Sequence, residues 1–364
     1  MMSSVGVSSG LAMRSALHDA AGVLWAEVGG LRVPRNYGDP VAEYEAARRG
    51  VVVVDRVDRV LLRVWGRDPV RMVNGLVTND VAGAAAGRGV YAVMLSPKGR
   101  MQADMRVVKR ESDLLLETAA GAVEGLTSTL KKFVPPLFAR YEDSSEELGV
   151  LGLFGPSARD VVVRVFGDAP AADAADESFV EAGGSIVLRT RLTGEPGGYD
   201  VIASQSAIGE LWQAAVAAGA RPAGFATLDV LRIEAGTPVW GAELNDTVIP
   251  LEAGLRHRAI SETKGCYTGQ EVIVRILHRG HVNRHLRGVL LGDEPPPGPG
   301  AELVRASDGR VVGVITSACV SPLHGQTIGL GYVRREVEPP AVLRLGGREG
   351  VEVRVVELPF PATG

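Results

Sequence analysis

A run of four prolines and two glycines, Pro295-Pro296-Pro297-Gly298-Pro299-Gly300, limits the fold of this chain more than any other stretch. Proline has a fixed φ and no backbone N–H to donate, so these residues fit neither a helix interior nor a central strand. They form a short stiff connector. The chain beyond Gly300 must therefore fold as a unit of its own. It consists of short valine-rich runs separated by glycine turns, ending in Val351 to Val356, with almost no helical period. That pattern predicts a small all-β barrel or roll.

At about 100 to 200 residues per domain, a chain of 364 residues holds two or three domains, each large enough to bury its own core. Hydrophobic residues make up 46% and charged ones 23%, which excludes disordered and fibrous classes. With 39 basic and 43 acidic residues the net charge of −4 gives no chain-wide field for a phosphate backbone. Any nucleic-acid contact has to come from a local patch. The two cysteines, Cys266 and Cys319, make neither a disulfide framework nor a four-thiolate iron–sulfur site within one chain, which points to the cytoplasm. No apolar run approaches the ~20 residues that span a bilayer, so no membrane contact is expected. Residues 1–36 read as a loose tail; the Ser- and Ala-rich stretch to Ala26 has no compact apolar segment behind a positive leader, and no targeting signal is expected.

Upstream of the connector the patterns are mixed α and β. The valine-dense run Val51 to Val64 reads as strand, Asp68-Pro69 as the cap and first residue of a helix, and Gly89 to Val108 as strands around the turn Ser96-Pro97-Lys98-Gly99. From 146 to 222 the order is clearer. Val150 to Phe154 is a strand and Pro156 opens a helix. Ser185 to Leu192 and Tyr199 to Ala203 are strands, and a second helix carries Ile208, Leu211, Trp212, Ala215 and Val216 between Ser204 as its N-cap and Gly219 as its stop. This β-α-β-β-α order predicts a ferredoxin-like middle unit. Residues 168–184, poor in large apolar side chains, read as an exposed insertion.

The densest chemical signal is Lys264-Gly265-Cys266-Tyr267-Thr268-Gly269-Gln270-Glu271. Thr268 and Glu271 have the spacing of a capping box, which predicts a helix from about Gly269 through Ile273 and Ile276, although the β-branched run Val272 to Ile276 also suits a strand. A helix start puts Cys266 just ahead of a positive dipole end and near the Lys264 cation, where a thiolate is favoured. The alternative is a small buried hydrophobe beside a solvated lysine. Downstream, Arg275, His278, Arg279, His281, Arg284, His285 and Arg287 form a basic run without a carboxylate, suited to a polyanion such as tRNA or to a solvated face. Gly280 breaks the spacing that a metal site from His278, His281 and His285 would need, and no metal is expected. Farther upstream, Asp229, Arg232 and Glu234 interrupt an apolar helix ending at Gly236. Arg232 there either pairs internally or grips a ligand carboxylate. Walker A, G-x-G-x-x-G, H-E-x-x-H and G-x-S-x-G signatures are missing.

The segment 264–271 resembles the diagnostic stretch of the YgfZ-type folate-binding proteins, relatives of the glycine-cleavage T-protein aminomethyltransferases. Val77-Thr78-Asn79-Asp80, Leu153-Phe154-Gly155-Pro156, Leu231 to Gly236, Pro250-Leu251-Glu252 and Gly331-Tyr332-Val333 are further matches, covering the chain from about Tyr37 to its end. The resemblance implies an α+β, three-domain aminomethyltransferase-like fold around a central channel that binds tetrahydrofolate or a one-carbon derivative. Its parts are a discontinuous first domain (37–145 and 223–285), a ferredoxin-like middle domain (146–222) and a C-terminal β-barrel (286–364). It also implies folate contacts by Arg232, by Asp200 with Glu195 in the preceding turn, and by Arg354. Cys266, Lys264 and Asp104 are the implied catalytic set. Around Gly99 to Val107 the aminomethyltransferases carry two consecutive aspartates, whereas this chain has Ala103-Asp104. If the first of the pair handles the proton at the folate nitrogen, the departure weighs against transfer. The expected role is then a tetrahydrofolate-binding accessory protein in iron–sulfur assembly or repair, with iron–sulfur enzymes or assembly proteins, including tRNA-modifying ones, as partners. The alternative is a folate-dependent aminomethyl or one-carbon transferase.

Overall fold

The computed structural model describes residues 18, 22–28, 30–85, 87–347 and 349–361. Three bodies of sheet, two open and one closed, account for most of it.

The first is a five-stranded sheet in the order Val90–Leu95, Met101–Lys109, Leu114–Ala119, Arg59–Trp65, Arg140–Asp143. Its strands bury one face against helices Pro69–Asn74 and Val123–Phe133, through Leu62, Ala103, Met105, Leu116, Leu126 and their neighbours. Asp68 caps the first of these helices, accepting from the Arg71 N–H at 3.3 Å with Pro69 next in the chain, as the sequence predicts. The sheet's other face is different: it carries Arg59, Asp104, Arg106 and Glu117, all withdrawn from bulk solvent.

The second sheet has six strands in the order Phe179–Ala182, Ser185–Thr190, Gly198–Ser204, Leu148–Phe154, Val52–Asp55, Arg221–Pro222. Helices Ala158–Phe166 and Gln205–Ala217 cover one face through Val162, Phe166, Ile208 and Trp212. The ferredoxin-like order is present, with one substitution. The place beside Leu148–Phe154 that a fourth strand takes in a split β-α-β is filled by Val52–Asp55, antiparallel to it, and Arg221–Pro222 lies one position farther out.

The third body is a closed barrel of Arg284–Gly292, Gln326–Arg334, Val311–Ser321, Glu302–Val304, Ala341–Leu345 and Val351–Val356. Val289, Leu303, Ile315, Val333, Leu343 and Val355 fill it. The proline connector lies inside this body and does not lead into it: it joins Arg284–Gly292 to Glu302–Val304, two strands of the same barrel, so the unit expected to begin beyond Gly300 already begins with the strand before the connector. The whole is α+β, as expected, with two open sheets and a closed C-terminal barrel. Among the described residues no helix is long and apolar enough to cross a membrane.

Four local expectations need correction. The run Val51 to Val64 is not one strand: it bends at Arg56-Val57-Asp58, where the Arg56 guanidinium bonds the Asp58 carboxylate at 2.9 and 3.0 Å, and its halves serve different sheets. Residues 168–184 are not simply exposed. The strand Phe179–Ala182 lies there, and its small residues offer backbone acceptors to buried groups, with Tyr199 Oη donating to the Pro170 carbonyl and Arg189 Nε to that of Ala172. Composition does not reveal that use of the main chain. In the segment read as a tail, residues 1–17 lie outside the described residues. Leu24–Val28 and Leu31–Asn36 form a hairpin, however, and His18 is buried between Asp55 and Tyr37. Finally, Ser204 precedes its helix without a side-chain cap bond.

Candidate ligand cavity and acid–base site

Alternation along the Met101–Lys109 strand decides which side chains reach the middle of the molecule. Ala103 and Met105 point into the helix-covered core, while Asp104 and Arg106 point to the opposite face. That face borders a cavity of about 910 Å³, a size suited to a ligand of a few hundred daltons. Every body of the fold contributes to its wall. Tyr91, Asp104 and Arg106 come from the five-stranded sheet, Asp200 from the six-stranded one, Asp229 and Arg232 from helix Phe225–Glu234, Trp240 from the next loop, and Thr316 and Ser317 from the barrel.

The charges in the wall are arranged as a buried network. Arg106 Nε donates to Glu117 at 2.6 Å, and Arg59 holds the other carboxylate oxygen of Glu117. Burial alone would raise the Glu117 carboxyl, but the two guanidinium groups outweigh it and hold its pKa well below the usual carboxylate range. Arg106 Nη2 also lies 2.8 Å from Asp200 Oδ2, an ion pair without the direction of a hydrogen bond, and Arg56 Nη1 donates to Asp200 Oδ1 at 3.3 Å. Asp104 is different. Burial pushes its carboxyl up against the pull of Arg59 and of a 2.9 Å hydrogen bond donated by Tyr91 Oη to Oδ2. Tyr91 is pushed well above its ordinary value by burial and by the neighbouring Asp104 charge, so it stays a donor.

Among the described residues, four buried side-chain atoms lack a hydrogen-bond partner: Asp104 Oδ1, Arg106 Nη1, Asp200 Oδ2 and Arg258 Nε. All four residues line the cavity. Buried polar atoms left unpaired are costly and rare, so their convergence on one space marks it as the place for a hydrogen-bonding ligand. Two carboxylate oxygens and two guanidinium nitrogens suit a ligand that both donates and accepts, as an amino-pyrimidine ring does.

The sequence-based site residues separate into two groups. Asp104, Asp200 and Arg232 share the cavity. Arg232 spends three of its N–H groups inside the protein, on Asp229 at 2.7 Å, Glu243 at 2.8 Å and Ser317 at 2.6 Å. Two of its five donors remain. Cys266, Lys264, Glu195 and Arg354 do not line the cavity. Cys266 is exposed, so the thiol does not stand at the lip of this space. Lys264 is a clamp: Nζ donates to the carbonyls of Val77 at 2.7 Å, Asn79 at 3.0 Å and Asn74, and burial lowers its pKa to about 8. All three of its protons are used on backbone. Glu195 pairs with Arg191 at 3.0 Å on the surface, and Arg354 is exposed on the barrel.

The helix after Cys266 exists, as Gln270–Arg279, so the strand alternative is excluded, but the capping box is not formed. Gly269 is the cap, in the left-handed region at φ 80°, and a Cβ there would meet the Ser96 carbonyl at 2.5 Å. Close approach of the Ser96 turn fixes that position, with no side-chain cap bond. The basic run is also divided. Arg284 pairs with Glu252 and Arg287 with Glu357, leaving Arg275, His278, Arg279 and His281 exposed on and after the helix.

Residues 15–263 match the GCVT N-terminal domain family, and residues 284–361 match the glycine cleavage T-protein C-terminal barrel domain. The chain belongs to the glycine cleavage T-protein family. Among curated relatives, a protein of Rubrobacter xylanophilus named aminomethyltransferase is 32% identical over 98% of this chain and 96% of its own. One of Moorella thermoacetica, named likewise, is 30% identical over 94% and 95%. The crystal structure of the glycine cleavage system aminomethyltransferase T of Bartonella henselae superposes with a TM-score of 0.86 at 22% identity, covering 96% of this chain and 97% of that one. That last likeness is one of fold. In this member of the family Arg56, Arg59, Tyr91, Arg106 and Arg258 join the site although no motif drew attention to them. The one available signal was Asp104 and Arg106 at a spacing of two on a strand, which puts them on one face.

Proposed function

We propose that the protein binds tetrahydrofolate in the central cavity and transfers an aminomethyl-derived one-carbon unit to it. The observation that carries this reading is the Asp104 carboxyl, buried, raised in pKa and presenting an unpartnered oxygen to a cavity whose other unpaired atoms also await a ligand. The named relatives support the same chemistry. The loss of the first aspartate of the family's pair does not weigh against it, because Ala103 faces the core and the cavity keeps its carboxylate in Asp104.

Bound tetrahydrofolate supplies the nitrogen that accepts the one-carbon unit. Asp200 presents carboxylate oxygen to the amino-pyrimidine edge, and the remaining donors of Arg232 suit a carboxylate of the tail. Until it is protonated, the Asp104 carboxylate would stabilise positive charge on the nitrogen. As the nitrogen–carbon bond forms, Asp104 Oδ1 would take that nitrogen's proton and pass it to the amine, which leaves as ammonia when its bond to the carbon breaks, the donor's sulfur leaving as a thiol with the proton of the second folate nitrogen. Tyr91 holds the other oxygen and fixes the carboxylate's orientation. A raised pKa makes Asp104 a stronger base than an exposed aspartate. The test is formation of methylene-tetrahydrofolate from an aminomethyl donor. Turnover well above buffer supports the reading, and none at saturating tetrahydrofolate defeats it.

A second reading rests on Cys266. Its exposure at the surface, a few residues ahead of a helix that carries exposed Arg275 and Arg279, suits a thiol that meets a partner, as an accessory role in iron–sulfur maintenance requires. Cells carrying Cys266→Ser distinguish the two: a fall in iron–sulfur enzyme activity with methylene-tetrahydrofolate formation intact supports the accessory role, and normal iron–sulfur enzymes exclude the thiol from it.

A further inference from the structure

Glu177 is the one described non-glycine residue with positive φ, at 61°. Glutamate is uncommon in the left-handed region, and a residue kept there against its preference calls for a reason. The backbone is tied at both ends, its carbonyl accepting from Gly89 N at 2.7 Å and its N–H donating to the Arg189 carbonyl at 3.1 Å. A Cβ at Gly89 would meet that Glu177 carbonyl at 2.8 Å, so the neighbouring strand start is glycine to admit it. The side chain is then buried and aimed inward. Glu177 Oε1 accepts from Arg258 Nη2 at 2.8 Å, and the Arg258 guanidinium lies 4.1 Å over the ring of Tyr91, whose hydroxyl bonds Asp104. Glu177 does not line the cavity; the other three residues of the chain do.

We propose that Glu177 is a positioning residue for Asp104, holding Arg258 against the Tyr91 ring so that Tyr91 and Asp104 keep their orientation toward the cavity. This rests on the transferase reading above and names a further residue of the same site. The groups facing Asp104 are Arg59, Tyr91, Glu117 and Arg258, and those facing Arg258 are Glu177, Tyr91 and Asp176. Glu177 offsets the Arg258 charge. With that offset gone and only Asp176 left to face it, the guanidinium acts on Asp104 less compensated, favours its carboxylate and lowers its pKa.

Two variants separate positioning from packing. Glu177→Gln keeps the shape and an acceptor for Arg258 but removes the charge, and Glu177→Gly relieves the left-handed conformation but removes the tether. Carboxyl-carbon NMR on aspartate-labelled protein, with the Asp104 signal assigned through Asp104→Asn, follows the titration without any turnover. The expected results are an Asp104 pKa lower in Glu177→Gln than in the parent, kcat for methylene-tetrahydrofolate formation reduced about tenfold in Glu177→Gly, and tetrahydrofolate Kd within about twofold in both. An unmoved Asp104 titration in Glu177→Gln with parental kcat in both variants overturns the proposal. A moved titration in a protein whose parent shows no turnover defeats the transferase reading and leaves the positioning intact.

Discussion

Asp104 and its neighbour Ala103 differ in environment because a strand sends successive side chains to opposite faces. One is fully enclosed by Val60, Leu62 and Leu126 among others, and the other borders the cavity. A motif comparison sees the pair as a unit, which is why the missing first aspartate looked decisive in the sequence. For Asp104→Asn we expect kcat to fall by about a hundredfold or more, with tetrahydrofolate binding largely kept. The pH profile gives the sign. Because the carboxylate is the active form, kcat/KM should rise with pH through the raised Asp104 pKa, and this acid limb should vanish in the asparagine variant. At Lys264 the sequence was legible in another sense. The lysine is placed by its motif, but it binds three carbonyls, that of Asn74 at the end of helix Pro69–Asn74 and those of Val77 and Asn79 just after it. Lys264→Met should lower stability by about 2 to 3 kcal/mol, measured by urea unfolding, since the carbonyls lose a charged donor.

At the scale of elements, the five-stranded sheet buries an Arg59–Glu117–Arg106 group on its cavity face. Glu117 has a depressed pKa, so its contribution is present above the ordinary glutamate pKa and is lost as pH falls through the depressed value. Glu117→Gln should destabilise the fold by about 3 to 5 kcal/mol at neutral pH, because two buried guanidinium groups lose the carboxylate they share and keep only Asp200 and Asp58 nearby, and should flatten the acid side of the stability profile. Calorimetric melts from neutral to acid pH check both. Most elements with a strong pattern were readable: the turn at Ser96 to Gly99, the strands about it, the capped helix at Asp68 and the barrel. The bend at Arg56 to Asp58 was not, since nothing in a valine-rich run says that its halves pair in different sheets. The strand Phe179–Ala182 was missed because its neighbourhood contributes backbone acceptors rather than bulky side chains.

For the whole molecule, the cavity lies where three bodies meet; apolar clusters join the barrel to the five-stranded sheet and the two open sheets to each other, and polar contacts fix the wall of the site. Glu243 accepts from Arg232 on one side and from barrel residues Thr316 and Ser317 at 2.9 and 2.6 Å on the other, so the barrel is keyed to the helix that lines the site. Such convergence is invisible to a linear reading, which is why Arg56, Arg106 and Arg258 were not anticipated while Asp200 and Arg232 entered by resemblance. A ligand bridging the three bodies should stabilise all of them together. Tetrahydrofolate at a hundredfold excess over its Kd should add about 2.7 kcal/mol, seen as one melting transition displaced upward as a unit. The most direct test is a crystal structure with tetrahydrofolate bound. The account predicts density for the pterin in the 910 Å³ cavity, with ring nitrogens within hydrogen-bond distance of Asp104 Oδ1 and Asp200. Tetrahydrofolate bound elsewhere, or seated in the cavity with both carboxylates left unpaired, would contradict it.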